Sequence, residues 1–180
     1  MTTVAIALAG LALAVCLVDL LLTVAVIRRL REHTDLISKF SAPGAVAMLT
    51  QGQTTKPFEA VATTGETVSR DTLSGLTLVG AFTPQCSACT ERLPRFVEYA
   101  GQFPGGREQV IAVVMGDEAA AQEYRTALEP VAKVVIEAGP GGVVEALAVA
   151  SFPAFGVLDS SGVVVTSALD LDDLSVPAGV

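Results

Sequence analysis

Two closely spaced cysteines are the residues of this 180-residue chain best suited to covalent chemistry. Cys86 and Cys89 lie in the stretch FTPQCSACT, and the third cysteine, Cys16, stands far earlier in the chain. A CxxC pair of this kind can exchange disulfides, form half of a metal site or reduce peroxide. In disulfide exchange the thiolate is the reactive species, so its surroundings decide the chemistry.

The composition argues against a metal site. A structural zinc centre needs four ligands, usually two cysteine pairs or one pair with histidines. Here there is one pair, and the single histidine, His33, precedes it by a long stretch of chain. We therefore expect no metal and no other cofactor. Two alternatives remain open, a pair of ordinary buried cysteines and a redox-inactive docking module in which both cysteines are dispensable.

The segments around the pair predict where each thiol lies. Residues 76–82 (LTLVGAF) form an apolar run of strand length, typical of a strand buried on both faces. Residues 89–100 have helical spacing, so the cysteines stand where a helix begins. A helix N-terminus has unpaired N–H groups and partial positive charge, which stabilise a thiolate. We therefore predict that Cys86, at the exposed tip, attacks and that Cys89, one turn further in, resolves the mixed disulfide.

The following sequence alternates strand and helix patterns. It predicts strands at 109–115 and 133–137, helices at 118–129 and 143–150, and a hairpin of strands 154–159 and 163–167 joined by Ser160-Ser161-Gly162. This order predicts an α/β fold with a mixed sheet and helices on both faces.

The N-terminus has the character of a membrane anchor. Residues 4–27 are apolar apart from Asp19. A helix of this length rises ~36 Å and can cross a hydrocarbon layer of ~30 Å. A cleaved signal peptide is disfavoured, because the N-terminus (MTT) has no basic residue and the run ends in IRRLREH. The predicted organisation is a tail at 1–3, a transmembrane helix at 4–27, a juxtamembrane linker at 28–53, a domain at 54–169 and a flexible tail at 170–180.

Further residues carry a family resemblance. Pro94 follows Cys89 by five residues, and a Phe152-Pro153 pair precedes the predicted hairpin. With these features, residues 54–168 resemble membrane-anchored thioredoxin-like proteins of the TlpA type. The resemblance implies a thioredoxin-like fold and disulfide exchange with protein thiols or disulfides.

The resemblance also implies a substrate-contact region. In such proteins Pro153 would be cis and lie beside Cys86, and the Phe152 backbone would pair with the bound polypeptide. Thr83 and Gln85, which immediately precede Cys86, are further candidates for substrate contact.

Three positions depart from the family pattern. Gln85 stands where a tryptophan is common, and Gly80 stands where thioredoxins carry a buried aspartate. Arg92 stands where TlpA-type proteins often have a glutamate, with Glu91 one residue earlier. The usual proton acceptor is thus missing or displaced, and the direction of the reaction, reduction or oxidation, depends on such groups.

A peroxiredoxin-like peroxidase is the alternative enzyme. Thr83 and Cys86 match the T-x-x-C core of that group, in which the threonine helps to bind peroxide. The group also has a proline where Val79 stands and a later arginine near the thiolate, whereas no arginine follows Arg125.

Charge and architecture limit the partners and the location. The net charge of −8, without basic clusters, excludes a nucleic-acid-binding role because phosphate contacts need lysine and arginine. The anchor, the arginines after it and an Ala-Pro-Gly-Ala segment are similar to the thioredoxin-like accessory protein of methylamine utilisation, which is associated with maturing a disulfide-rich dehydrogenase subunit outside the cytoplasmic membrane. That likeness concerns architecture only. The wider resemblance to membrane-anchored thioredoxin-like proteins favours an extracytoplasmic domain on a single-pass membrane protein. Arg28, Arg29 and Arg31 favour the cytoplasmic side by the positive-inside rule.

Overall fold

Seven strands and three α-helices are present in the computed structural model, which describes residues 46–139 and 141–175. The strands are β1 (Glu59–Val61), β2 (Thr67–Ser69), β3 (Thr77–Phe82), β4 (Val110–Met115), β5 (Lys133–Glu137), β6 (Ala154–Leu158) and β7 (Val164–Ala168). The helices are α1 (Ser87–Gly101), α2 (Glu118–Leu128) and α3 (Gly142–Ala146). Every element predicted for the domain is found, although α3 ends four residues before the predicted end. The short β1–β2 hairpin was not predicted.

The five longer strands form one mixed sheet in the order β5-β4-β3-β6-β7. β3, β4 and β5 are parallel, whereas β6 pairs antiparallel with both β3 and β7. The predicted hairpin is confirmed as β6–β7. Its turn is held by Asp159, whose Oδ1 accepts hydrogen bonds from the backbone N–H groups of Ser161 (2.8 Å) and Val163 (3.0 Å).

β3 lies at the centre of the sheet because its side chains can be buried on both faces. All six of its residues are buried. Leu78 and Phe82 point toward the core beneath α1 and α2, whereas Val79 and Ala81 point toward the core beneath α3. The predicted helices on both faces are therefore present, and the alternation places the C-terminal end of β3 next to the start of α1.

Residues 46–53, which the sequence assigned to the linker, pack into the domain. Met48 is fully buried, and the Leu49 N–H donates to the Leu147 carbonyl at 2.9 Å. Thr54 forms an isolated antiparallel bridge with Val163. The compact unit accordingly includes residues from Val46 onward. Burying the apolar side chains of this segment is more favourable than leaving them in water.

The start of the predicted flexible tail is also ordered against the domain. Residues 171–173 form a 3₁₀ turn capped by the Asp170 carboxylate. Leu171 and Leu174 are buried in the core beneath α1 and α2. These two leucines explain why this acidic segment packs on the protein.

The predicted anchor at 4–27 lies outside the described residues. In residues 46–139 and 141–175, no helix combines the length and the apolar character needed to cross a membrane.

Candidate active site

Cys86 lies at the junction between β3 and α1. The chain leaves β3 at Phe82 and turns through Thr83-Pro84-Gln85, and the Cys86 N–H donates to the Thr83 carbonyl at 3.2 Å. Proline at the second position of such a turn is favourable because its φ is already fixed near the required value. Cys86 is the N-cap of α1, and the first helical turn contains no acidic residue. The half-buried Cys86 thiol thus faces the positive end of a 15-residue helix.

Cys89 lies one turn inside α1 and is fully buried. Its N–H donates to the Cys86 carbonyl at 3.0 Å. Burial raises the pKa of the Cys89 thiol to about 12, and a hydrogen bond with the Thr83 backbone opposes only part of this effect. Both cysteines are free thiols within hydrogen-bonding reach of each other. The structure therefore contains one accessible and one buried, protonated thiol, as the predicted attacking and resolving roles require.

Phe152 lies directly beside the Cys86 thiol, and Pro153 is bonded to the Phe152 carbonyl carbon. The Cys86 Sγ donates to the Phe152 carbonyl at 3.4 Å, and the Phe152-Pro153 peptide bond is cis. The contact spans 66 residues of sequence, and it arises because β6 pairs with β3 through Ala154 and Ala81. Phe152 is half-buried and Pro153 is buried. The structure therefore brings both predicted residues to Cys86.

The two other predicted contact residues differ in exposure. Gln85 is exposed at the tip of the turn, where a partner can reach it. Thr83 is 9% exposed, and its hydroxyl has no hydrogen-bond partner among the described residues. Because buried hydroxyls are usually hydrogen-bonded, the Thr83 hydroxyl is an unused donor and acceptor three residues from Cys86.

An aromatic cluster occupies the space above Gly80. Phe96 of α1 is fully buried, stacks on Phe155 with ring centroids 5.7 Å apart, and meets Phe82 edge-on at 5.2 Å. A Cβ added at Gly80 would lie 2.6 Å from two ring carbons of Phe96. The buried aspartate of thioredoxins therefore has no room here, since the Phe96 ring fills that volume.

Three polar pairs that involve side chains of α1 were not predicted from the sequence. Arg92 Nε lies 3.2 Å from Asp170 Oδ2, and the neighbouring Arg95 pairs with Asp172. On the α2 side, the Thr90 and Tyr124 hydroxyl oxygens are 3.1 Å apart. The partners of these pairs are 34 to 78 residues apart in sequence, so no local pattern identifies them. The only sequence feature that could have pointed to the arginine pairs is the acidic run that begins at Asp170.

Among the residues that the structure describes, no three His, Cys, Asp or Glu side chains are grouped as metal ligands.

Comparisons with known proteins bear on the fold. No protein-family model and no curated protein matches the sequence. Among solved structures, the thioredoxin domain of a thiol-disulfide oxidoreductase from Bacteroides vulgatus has 19% identity and a TM-score of 0.56, covering 69% of this chain and 92% of that one. A thiol:disulfide interchange protein from a Bacteroides species has 20% identity and a TM-score of 0.56, with 69% and 85% covered. The exposed lipoprotein thioredoxin of Streptococcus pneumoniae has 22% identity and a TM-score of 0.52, with 64% and 90% covered. The domain therefore has the thioredoxin-like fold.

Proposed function

We propose that this chain is a thiol–disulfide oxidoreductase that exchanges disulfides with protein partners through Cys86 and Cys89. The observation that carries the proposal is the asymmetry of the two thiols at the start of α1. Cys86 is half-buried at the N-cap, whereas Cys89 is fully buried one turn behind it. The solved structures with this fold that are named above as oxidoreductases or interchange proteins support the assignment.

The geometry supports a two-step exchange. In the first step the Cys86 thiolate attacks a partner disulfide; a Cys86–partner S–S bond forms, and the partner's other sulfur leaves as a thiolate that takes up a proton. In the second step Cys89 loses its proton and attacks Cys86 Sγ. The Cys86–Cys89 disulfide forms, the mixed disulfide breaks, and the partner leaves with both electrons. The reverse sequence oxidises a partner dithiol.

The surface around Cys86 suits a polypeptide partner. The half-buried Phe152 is next to the reactive sulfur, and it lies two residues before Ala154, where strand β6 begins. An extended peptide can pair with such backbone while its sulfur approaches Cys86. Exposed Gln85 lies on the same turn as Cys86 and completes the proposed contact surface.

Capture of a mixed disulfide tests the proposal. In a Cys89→Ser variant the resolving step is blocked, so we expect a disulfide-linked partner to accumulate on Cys86. Non-reducing gels followed by mass spectrometry would identify the adduct and its cysteines. A Cys86→Ser/Cys89→Ser variant is the matched control. If Cys89→Ser captures no more protein than this control, the proposal fails.

The membrane location is part of the same proposal. Residues 4–27 would anchor the protein in the cell membrane in a single pass, with the domain on the extracytoplasmic side. The likeness to the methylamine-utilisation accessory protein suggests a disulfide-rich protein substrate there. We expect a membrane-impermeant thiol reagent to label reduced Cys86 in intact cells. Labelling only after lysis would place the domain in the cytoplasm, as the arginines at 28–31 favour.

The unpaired Thr83 hydroxyl favours a second candidate, peroxide reduction. Here the Cys86 thiolate would attack a peroxide oxygen, giving a Cys86 sulfenic acid and an alcohol or water, and Cys89 would condense with it to form a disulfide and release water. A Thr83→Val variant keeps the shape but lacks the hydroxyl. We expect it to be at least as stable as the parent, because an unsatisfied buried group is removed. A large loss of peroxide consumption in this variant would support the second candidate, and unchanged consumption would exclude a role for Thr83.

A further inference from the structure

Arg92 is the cationic side chain nearest along α1 to the resolving thiol. Residues three apart on a helix are surface neighbours, with Cβ atoms ~5–6 Å apart, so Arg92 follows Cys89 by one turn on the same side. Cys89 is fully buried, and the Arg92 side chain is 35% exposed. Between a buried sulfur and a half-buried guanidinium, water screens the interaction only partly. The Arg92 charge accordingly acts to lower the pKa of Cys89, against the larger effect of burial.

Asp170, which follows Arg92 by 78 residues in the sequence, pairs with the Arg92 side chain. Its Oδ2 accepts a hydrogen bond from Arg92 Nε at 3.2 Å, and its Oδ1 accepts one from the Asp172 N–H at 3.3 Å. The segment is fixed in place by Leu171 and Leu174, which are buried in the core beneath α1. Burial raises the pKa of Asp170, but the Asp172 N–H and Arg92 outweigh it and hold that pKa below its usual value. Asp170 is therefore ionised at neutral pH.

We propose that the Arg92–Asp170 pair sets the reactivity of the resolving thiol, with Arg92 stabilising the Cys89 thiolate and Asp170 attenuating that effect. The inference rests on the proposed disulfide exchange and deepens it. Arg92 stands where TlpA-type proteins often carry glutamate. Gly80 stands where thioredoxins carry a buried aspartate, so this position provides no acid near the two cysteines. In this chain a positive charge thus takes the position of a proton acceptor.

The pair acts at the second step of exchange. In the mixed disulfide Cys86 has no charge, and Cys89 must lose its proton to solvent before it attacks Cys86 Sγ. Arg92 favours the thiolate that this step requires. Among the described residues, Tyr124 on α2 also lies near the thiols, and burial is the main cause that raises the pKa of its hydroxyl. Beneath the cysteines the sheet contributes apolar side chains such as Phe82 and Phe155.

Substitution of Arg92 and substitution of Asp170 should change the reactivity of the Cys89 thiol in opposite directions. The test uses the full chain with Cys16→Ala and Cys86→Ser, so that Cys89 is the remaining thiol. Its alkylation by iodoacetamide is followed from pH 8 to 11 by peptide mass spectrometry. Arg92→Gln should shift the pH profile upward by roughly 0.5–1 unit, a threefold to tenfold slower reaction at a given pH. Asp170→Asn should shift it downward and speed the reaction, while Arg92→Lys should restore most of the parental rate.

An ion pair on α2 supplies matched controls, because Arg95 also lies 3.9 Å from Asp170 Oδ1 and so belongs to the cluster under test. Arg125 pairs with Glu118 at 3.0 Å, and its side chain is about as exposed as that of Arg92. Arg125→Gln and Glu118→Gln should leave the profile within error of the parent. If Arg92→Gln and Asp170→Asn shift the profile in the same direction, or no further than these controls, the inference is overturned.

This alkylation measurement does not depend on disulfide exchange with a protein partner. The alkylation profile is read in a protein that lacks Cys86, so the inference can succeed where capture of a partner fails, and the reverse. Thermal unfolding of each variant shows whether a change in rate reflects loss of structure. A faster reaction in an Asp170→Asn variant with lowered stability would count against the inference, because local opening would also expose Cys89.

Discussion

Replacement of Cys86 by serine is expected to abolish disulfide exchange, whereas Cys89→Ser should leave the first step intact. The reason lies in the different surroundings of the two sulfurs. Cys86 is accessible at the N-terminus of α1, and Cys89 is fully buried with a pKa of about 12. Burial is the largest cause of this raised pKa and persists when Cys86 is replaced, so very little Cys89 thiolate is present at pH 7. Cys89 can therefore neither meet a protein disulfide nor supply enough thiolate to attack it.

The expected loss in Cys86→Ser is on the order of 10³-fold or more in the rate of thiol release from a model aromatic disulfide. Stopped-flow absorbance at pH 7 measures this rate in full-length proteins that also carry Cys16→Ala. Cys89→Ser should release one equivalent of aromatic thiol at close to the parental rate and then stop, because the mixed disulfide is not resolved. A Cys86→Ser protein that reacts at a rate similar to the parent would contradict the assigned roles.

Introduction of an aspartate at Gly80 is expected to cost at least about 4 kcal/mol of folding free energy. This change would restore the buried acid of thioredoxins at the matching position. A Cβ here would lie 2.6 Å from Phe96, which packs against Phe82 and Phe155 and cannot move aside without disturbing both. The carboxyl group would also enter an apolar core. Gly80→Ala isolates the steric part and should cost roughly 1–3 kcal/mol.

Chemical denaturation of the two variants measures these costs, and Gly101 provides a matched control. Gly101 ends α1, and a Cβ there would meet its nearest neighbour, Val131 Cγ1, at an ordinary 3.8 Å. Gly101→Ala should be neutral or stabilising by up to about 1 kcal/mol. In a Phe96→Leu background the cost of Gly80→Ala should shrink, since the clashing ring carbons are gone. If Gly80→Asp is as stable as the parent, the view that Phe96 replaces the buried acid is wrong.

Much of the fold could be predicted from local patterns. The run at 76–82 is apolar apart from Thr77, so it could be recognised as a strand buried on both faces. The turn residues Ser160-Ser161-Gly162 identified the β6–β7 hairpin. Asp117 directly precedes α2 and caps it, accepting a 2.8 Å hydrogen bond from the Ala120 N–H. These patterns depend on residues that are close together in the sequence, so they can be recognised without the tertiary structure.

The domain limits were harder to predict, because packing against distant residues decides them. Residues 46–53 follow the Pro43-Gly44 break and were assigned to the linker, yet Met48 lies against Gly156 in the core. The acidic composition after Leu169 suggested a loose tail. Leu171 and Leu174 pack in the core nonetheless, and two of the aspartates pair with arginines of α1.

Residue types and their spacing indicate the chemistry that is possible at this site: two thiols three residues apart at a strand-to-helix junction, with the first at the helix N-terminus. That inference needs only the spacing and the helix geometry. Which groups surround those thiols depends on the tertiary structure. It brought the Phe152 carbonyl to 3.4 Å from Cys86, filled the place of a buried acid with Phe96, and set Asp170 against Arg92. Each of these contacts joins residues that are distant in sequence. The free energy that stabilises them comes from burial of apolar surface across the whole core, which cannot be recognised from a local sequence pattern.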